Sequence, residues 1–271
     1  MTAARRRGTG PGTPLLVVPP AVLGVLLLAV PTAAILIRTP WSRLGAIYQH
    51  RGVWTALRVS LESSLEATAL SVLLGVPLAW TLARLRLPGL GVVRALVTVP
   101  LVLPPVIGGV ALFAAIGRNG IAGRPIHAVL GSDLPFTFPA IVLAQAFVAM
   151  PFLVITVEGA FRIADRGVEE AAATLGASRS RIFVRVTLPL VAPAILLGTV
   201  LCWARALGEF GATLLVGGNA PGTTQTLPTL VLTVFSDNPA DAPALGLPLI
   251  AVALVVLGTL RDSWLRPLAS S

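Results

Sequence analysis

Apolar residues along this chain come in long blocks, not in alternation. A bilayer core about 30 Å thick needs roughly 20 apolar residues of helix. Six blocks approach that length, at residues 15–37, 59–83, 92–116, 136–157, 188–207 and 245–260. The second is interrupted by Glu62 and Glu66. The fifth opens on prolines and carries Arg205. Arg5, Arg6 and Arg7 precede the first block, as in a secretion signal. It is too long for a signal's apolar region and no cleavage site follows, so it reads as a retained span.

Composition agrees with this pattern. Of 271 residues, 55% are hydrophobic and only 11% charged, against about 25% charged in soluble domains. Too few charges are present to cover a soluble globule, and a disordered chain needs the opposite balance. The expectation is an all-α integral membrane protein with six transmembrane helices.

The net charge of +9 does not point to nucleic acid. The basic residues are all arginines and lie between the apolar blocks, not in one patch. They read as topology signals. With the N-terminus in the cytoplasm, Arg5, Arg6, Arg7, Arg84, Arg86, Arg94, Arg162, Arg166, Arg179, Arg181, Arg185, Arg261 and Arg266 fall inside. Arg38, Arg43, Arg51, Arg58, Arg118 and Arg124 fall outside. The bias puts both termini in the cytoplasm, although the first outer loop is itself basic. A single cysteine, Cys202, excludes an intrachain disulfide. His50 and His127 read as loop imidazoles without a metal-binding companion.

Three stretches carry polar chemistry. The third block contains Pro100, Pro104, Pro105, Gly108 and Gly109. Each proline removes a backbone donor, so this span is bent or broken and packed away from lipid. It is either a tolerated kink or a pivot lining a path. Glu62 and Glu66 share a helix face and must meet protein or water, with Arg58 and Arg205 as possible counterions. The polar loop at 158–185 reads as two short helices. Glu169 and Glu170 suit the N-terminal end of the first. Ala171, Ala172, Ala173 and Leu175 continue it, and Gly176 stops it. Ser178 caps a second helix through Arg181, Ile182, Phe183 and Val186, which Pro189 ends.

Glu170-Ala171-Ala172, then Gly176, then Val186, Leu188 and Pro189, resembles the EAA loop of ABC importer permeases, with Val186 where that family has Ile. A second stretch runs from Arg205 through Gly208, Glu209 and Thr213, over Gly217-Gly218-Asn219, to Pro221 and Thr223–Pro228. It resembles the molybdate branch of these permeases, as does the Pro100–Gly109 segment. Sulfate and tungstate permeases are close relatives. The resemblance covers about residues 59–260. The N-terminal tail and residues 237–242 carry no readable signature.

The resemblance implies a type I ABC importer permease fold. The chain then divides into a cytoplasmic tail (1–14), a first helix (15–37), a permease core (59–262) holding the EAA coupling loop (158–189), and a C-terminal tail (263–271). It implies a multi-pass protein of the bacterial cell membrane that imports an oxyanion, molybdate first. Partners would be a second permease copy, two cytoplasmic ATPase subunits, an extracytoplasmic oxyanion-binding protein and membrane lipid. The chain has no Walker phosphate loop, so ATP and Mg belong to the ATPase, and no cofactor, metal or catalytic residue is expected here. Glu170, Ala171, Ala172, Gly176, Val186, Leu188 and Pro189 would couple to the ATPase. Arg205, Gly208, Glu209, Asn219, Thr224, Gln225 and Thr226 would line the path or an outer loop over residues 213–243. Arg205 either meets the oxyanion or pairs with Glu209, and the loop hydroxyls either touch cargo or are simply solvated. A stand-alone carrier would need matched inverted repeats. A membrane enzyme would need a nucleophile or metal motif, and neither signature is found.

Overall fold

The computed structural model describes residues 15–265. In chain order the helices are α1 (Val18–Arg38), α2 (Leu44–His50), α3 (Val53–Arg84), α4 (Leu90–Val102), α5 (Pro105–Ile116), α6 (Gly123–Leu130), α7 (Phe138–Ile163), α8 (Arg166–Thr174), α9 (Arg179–Ile182), α10 (Leu188–Leu207), α11 (Gly211–Gly217), α12 (Leu227–Asp237) and α13 (Ala242–Leu265). No strand occurs among the described residues. The tails at 1–14 and 266–271, with Arg5, Arg6, Arg7 and Arg266, lie outside them. Four helices are each long and apolar enough to cross a membrane alone: α1, α3, α7 and the run Arg179–Leu207.

The chain forms two compact units. Among the described residues, the first joins residues 15–47 to 237–265. Here α1 packs on α13, with Gly246 facing Ile35: a Cβ there would make ordinary contact, 3.4 Å from Ile35 Cγ2. Residues 237–242, unreadable in sequence, close this unit. Asp241 accepts from Arg43 Nη2 and from Asn238 Nδ2, each at 3.0 Å.

The second unit, residues 48–236, is built on α3, α7 and α10. Lipid is as apolar as leucine, so apolar area alone does not drive helices together there. Close approach through small residues does. The buried stripe of α3 is accordingly Ser60, Ser63, Ser64, Ala67, Thr68, Ser71, Gly75 and Ala79. Leu153 of α7 is gripped between two glycines. A Cβ on Gly75 would stand 3.2 Å from its Cδ2, and one on Gly198 of α10 would stand 3.1 Å from its Cδ1. The stripe's hydroxyls also tie helices together. Trp203 Nε1 donates to Ser64 Oγ at 3.1 Å, and Leu227 N donates to Ser60 Oγ at 2.7 Å.

The third apolar block is broken, as its prolines require. Helix α4 ends at Val102 and α5 begins at Pro105, with Leu103 and Pro104 extended between them. Only Pro104 and Pro105 make the break. Pro100 sits inside α4. Gly108 and Gly109 are buried inside α5, where they serve packing and not bending. A Cβ on Gly109 would stand 2.9 Å from Ala212 Cα of α11, and one on Gly211 would stand 3.0 Å from Val106 Cγ2. The two short helices therefore meet almost backbone to backbone.

Three further expectations are corrected. Residues 213–243 are not an open loop: α11 and α12 occupy much of the stretch, and Thr213, Thr224, Thr226, Thr229 and Val234 are buried. Pro189 does not end the second short helix. Residues Phe183–Thr187 widen into a π-turn, and the helix runs on from Arg179 to Leu207. Proline at position 189 would collide with the carbonyl four residues back in a regular helix, and a wide turn just before it relieves that clash. Finally, both histidines belong to helices. His50 ends α2, and His127 in α6 stands 3.0 Å from Asp133 Oδ1.

Candidate functional site

Two polar constructions stand out, at the two ends of α3. The first is the helix–turn–helix of α8 and α9. Asp165 caps α8, its Oδ1 accepting from Gly167 N at 2.8 Å. Three alanines carry the helix to Thr174. Gly176 then takes φ +81°, a left-handed conformation that costs glycine nothing. Its N–H donates to Ala173 O at 3.0 Å and that of Ala177 to Ala172 O at 3.1 Å, which occupies the last carbonyls of the helix. Ser178 caps the next turn by accepting from Arg181 N at 3.4 Å. Glycine stop and serine cap both stand where the sequence predicts them.

The outward surface of this element mixes alanines with charged side chains, Arg166, Glu170, Arg179 and Arg181 among them. Ala171, Ala173 and Glu170 are exposed, Ala172 is half-buried, and Leu175 is 88% exposed. Val186 and Leu188 are half-buried, and Pro189 is exposed. The inward side is held by charge. Glu169 Oε1 accepts from Arg84 Nη2 of α3 and from Thr187 Oγ1, both at 2.9 Å. The Arg84 side chain is only 7% exposed, so this pair is screened little by solvent. Phe183 adds an edge-to-face contact with Trp80, centroids 5.8 Å apart.

Beside it, Glu158 Oε1 accepts from Arg94 Nη2 of α4 and from Arg162 Nη2 of α7, both at 2.8 Å. Arg94 also donates to Leu82 O at 3.1 Å. One carboxylate thus links α3, α4 and α7. Sequence reasoning read Glu169 only as a helix-end charge and Arg84 and Arg94 only as topology signals. Glu158, a carboxylate at the edge of an apolar block, was the available sign, because such a charge must find a partner.

The second construction is the turn from α10 into α11 and the hairpin behind it. Arg205 Nη2 lies 2.6 Å from Glu209 Oε2, and Glu209 Oε1 accepts from Ala212 N at 2.9 Å. Glu209 is 1% exposed. Both carboxylate oxygens are committed, and Arg205 has its counterion. Of the two alternatives for Arg205, the structure has the ion pair. Gly208 ends α10 at φ −85°, an ordinary conformation, so it supplies no left-handed turn.

Beyond α11, Asn219 Nδ2 donates to Thr233 Oγ1 at 3.0 Å. Thr224 Oγ1 accepts from Ala220 N at 3.0 Å, and Thr226 Oγ1 lies 3.3 Å from Thr229 Oγ1. Thr224, Gln225 and Thr226 are 2%, 8% and 0% exposed. The hydroxyls expected at a wet surface instead close the hairpin on itself. Pro105, Val106 and Gly109 of α5 stand against Gly211 and Ala212 of α11. Among the described residues, no group of His, Cys, Asp and Glu is arranged to hold a metal ion.

Residues 67–270 match the family described as the binding-protein-dependent transport system inner membrane component. The molybdenum transport system permease protein ModB of Mycobacterium tuberculosis is 47% identical over 240 residues, 88% of this chain and 90% of that protein. The protein of the same name from Escherichia coli K12 is 38% identical over 212 residues, 78% and 93% of the two chains. A bacterial alginate ABC transporter, solved in complex with an alginate-bound periplasmic protein, superposes at TM-score 0.71 over 94% of each chain with 18% identity. That last likeness is one of fold.

Proposed function

The chain belongs to the family of inner membrane components of binding-protein-dependent transport systems, and from that premise we propose that it is the permease of an ABC importer for an oxyanion, molybdate first. The observation that carries the cargo class is the 47% identity, over nine-tenths of its length, to a relative named for molybdenum transport. Two copies of the chain enclose the path. Two ATPase subunits dock on the cytoplasmic face, and an extracytoplasmic binding protein delivers the anion. Both termini lie in the cytoplasm.

A dianion entering hydrocarbon faces a desolvation barrier of several kcal/mol or more. The permease lowers it with a wet path opened to one side at a time. The α8–α9 element supplies the handle. Its exposed alanines, Glu170 and Leu175 form the surface an ATPase cleft grips. Glu169, through Arg84 and Thr187, passes the pull to α3 and α10. Arg205, bound to Glu209, holds the turn into α11 and leaves the anion no deep well to fall into. Thr224 and Thr226 stiffen the hairpin that backs the path. ATP and Mg act on the ATPase.

The test is Glu170→Lys in the assembled transporter. Uptake of labelled molybdate is expected to fall at least tenfold, with the chain still inserted and the ATPase no longer co-purifying. Full uptake with Glu170→Lys overturns the coupling assignment. Competition by tungstate and sulfate fixes the cargo. Uptake blocked by sulfate alone replaces molybdate with sulfate.

A further inference from the structure

Helix α3 runs for 32 residues, from Val53 to Arg84. A bilayer core takes about 20 residues of helix. Every 20-residue window inside α3 contains Glu66, wherever the helix is placed and however it tilts. Glu62 drops out of the windows that start after it. So Glu66 is bound to lie at hydrocarbon depth, whereas Glu62 is not.

The two cations the sequence offered to Glu66 are taken. Arg58 Nε lies 2.7 Å from Glu62 Oε1, and Arg205 is held by Glu209. Glu66 is exposed and has no partner among the described residues. It shares a stripe with Glu62, Ala69, Leu73 and Pro77, spaced four, three, four and four residues apart, and all are exposed. The exposed face of α3 also carries Leu65, Leu73 and Leu74, and it differs from the other exposed span surfaces in its two carboxylates, since α1 and α10 carry none. The exposed surfaces of α1, with Leu23, Leu27 and Leu28, and of α10, with Leu190, Leu196 and Leu201, are apolar. A bare carboxylate facing lipid is strongly disfavoured, by roughly 3 kcal/mol on insertion scales and more in other treatments.

We propose that the Glu62–Glu66–Ala69–Leu73 stripe of α3 faces the water-filled translocation path, with the Glu66 carboxylate in its wall. This rests on the reading of the chain as a permease that works in pairs. Water, not direct contact with the second copy, is the occupant. Two parallel copies related by an axis along the membrane normal bring their Glu66 residues to equal depth, and touching carboxylates repel.

The test uses the single native cysteine. In the assembled transporter in vesicles, Cys202→Ser removes this chain's own thiol, Glu66→Cys, Ala69→Cys and Leu27→Cys are each exposed to a membrane-impermeant cationic methanethiosulfonate, and labelling is read on this chain alone. Glu66→Cys and Ala69→Cys are expected to react at least tenfold faster than Leu27→Cys on the apolar α1. Reaction of both at the Leu27→Cys rate overturns the proposal. Ala69→Cys keeps the test valid if Glu66→Cys fails to assemble. The readout is independent of cargo, so fast labelling in a transporter whose Cys202→Ser parent takes up no molybdate counts against the function above and leaves the wet stripe standing.

Discussion

The two ends of α3 are held by opposite means. At Arg84 the helix is clasped by ions: two carboxylates, Glu158 and Glu169, take hydrogen bonds from three arginines and a threonine on four elements. At Ser60, about 36 Å away along the helix, ion pairs also occur, Arg58 with Glu62 and Arg205 with Glu209, but the contacts that join helices there are neutral. A serine hydroxyl takes Leu227 N, and glycines 109 and 211 let α5 and α11 touch. An ion clasp tolerates changes in volume because its contacts are made by long side chains around a point charge. A glycine contact tolerates almost none, because backbone cannot step aside. A segment that must transmit a pull from a docked subunit suits the first kind of joint. A segment that must hold a broken helix in place suits the second.

Gly109→Val breaks the comparison hardest. Its side chain would start 2.9 Å from Ala212 Cα and 3.0 Å from Leu215 Cβ. Overpacking costs typically 1–3 kcal/mol when side chains can yield. Here backbone is the obstacle, so a loss of about 3 kcal/mol or more is expected, seen as a large drop in the melting temperature of the solubilised protein. A melting temperature unchanged by Gly109→Val would mean that α5 and α11 do not meet in this way.

Glu169→Gln comes next and tests the clasp. The amide oxygen still accepts from Thr187, but the buried Arg84 loses its counterion. Removing one partner of a buried pair costs about 3–5 kcal/mol. The retained acceptor and the 23% exposure of Glu169 reduce this to about 1–2 kcal/mol. Uptake is expected to fall more than stability does, because the link from α8 to α3 is what weakens. Equal loss of both would make Glu169 a stability residue only.

The clasp and the hairpin were not equally legible in the sequence. Gly176, Ser178 and the Pro104–Pro105 break announce themselves by local backbone chemistry, and the structure has all three. Arg205 and Glu209, four residues apart, announce their pairing too, although the helix ends at Leu207 between them. Glu169 with Arg84 does not, since 85 residues separate them. The hairpin was misread for a different reason. Leu227–Asp237 has only 11 residues, too few to cross a bilayer, and threonine-rich polar sequence reads as loop. It became half-buried helix because its hydroxyls bond within the hairpin and the helix itself and Leu227 N–H donates to Ser60 Oγ of α3, which no local pattern encodes. The π-turn before Pro189 was hidden likewise, because proline predicts a stop and not the wider turn that lets a helix pass it.

The smallest effect lies between the two ends. Gln145 of α7 is 0% exposed, and neither its Oε1 nor its Nε2 has a partner among the described residues. It shares a stripe with Ile141, which a Cβ on Gly217 would meet at 2.6 Å, and with Ala144 and Val148, which pack on Ala212 and Val216 of α11. Thr213 Oγ1 on α11 is also buried and unpartnered. A buried amide without partners costs about 1–3 kcal/mol, whereas an apolar group of the same shape costs nothing of that kind. Gln145→Leu should therefore raise stability by about 1 kcal/mol, read as a rise in melting temperature, where each change above lowers it. Loss of stability instead would mean that the amide is engaged in the working protein.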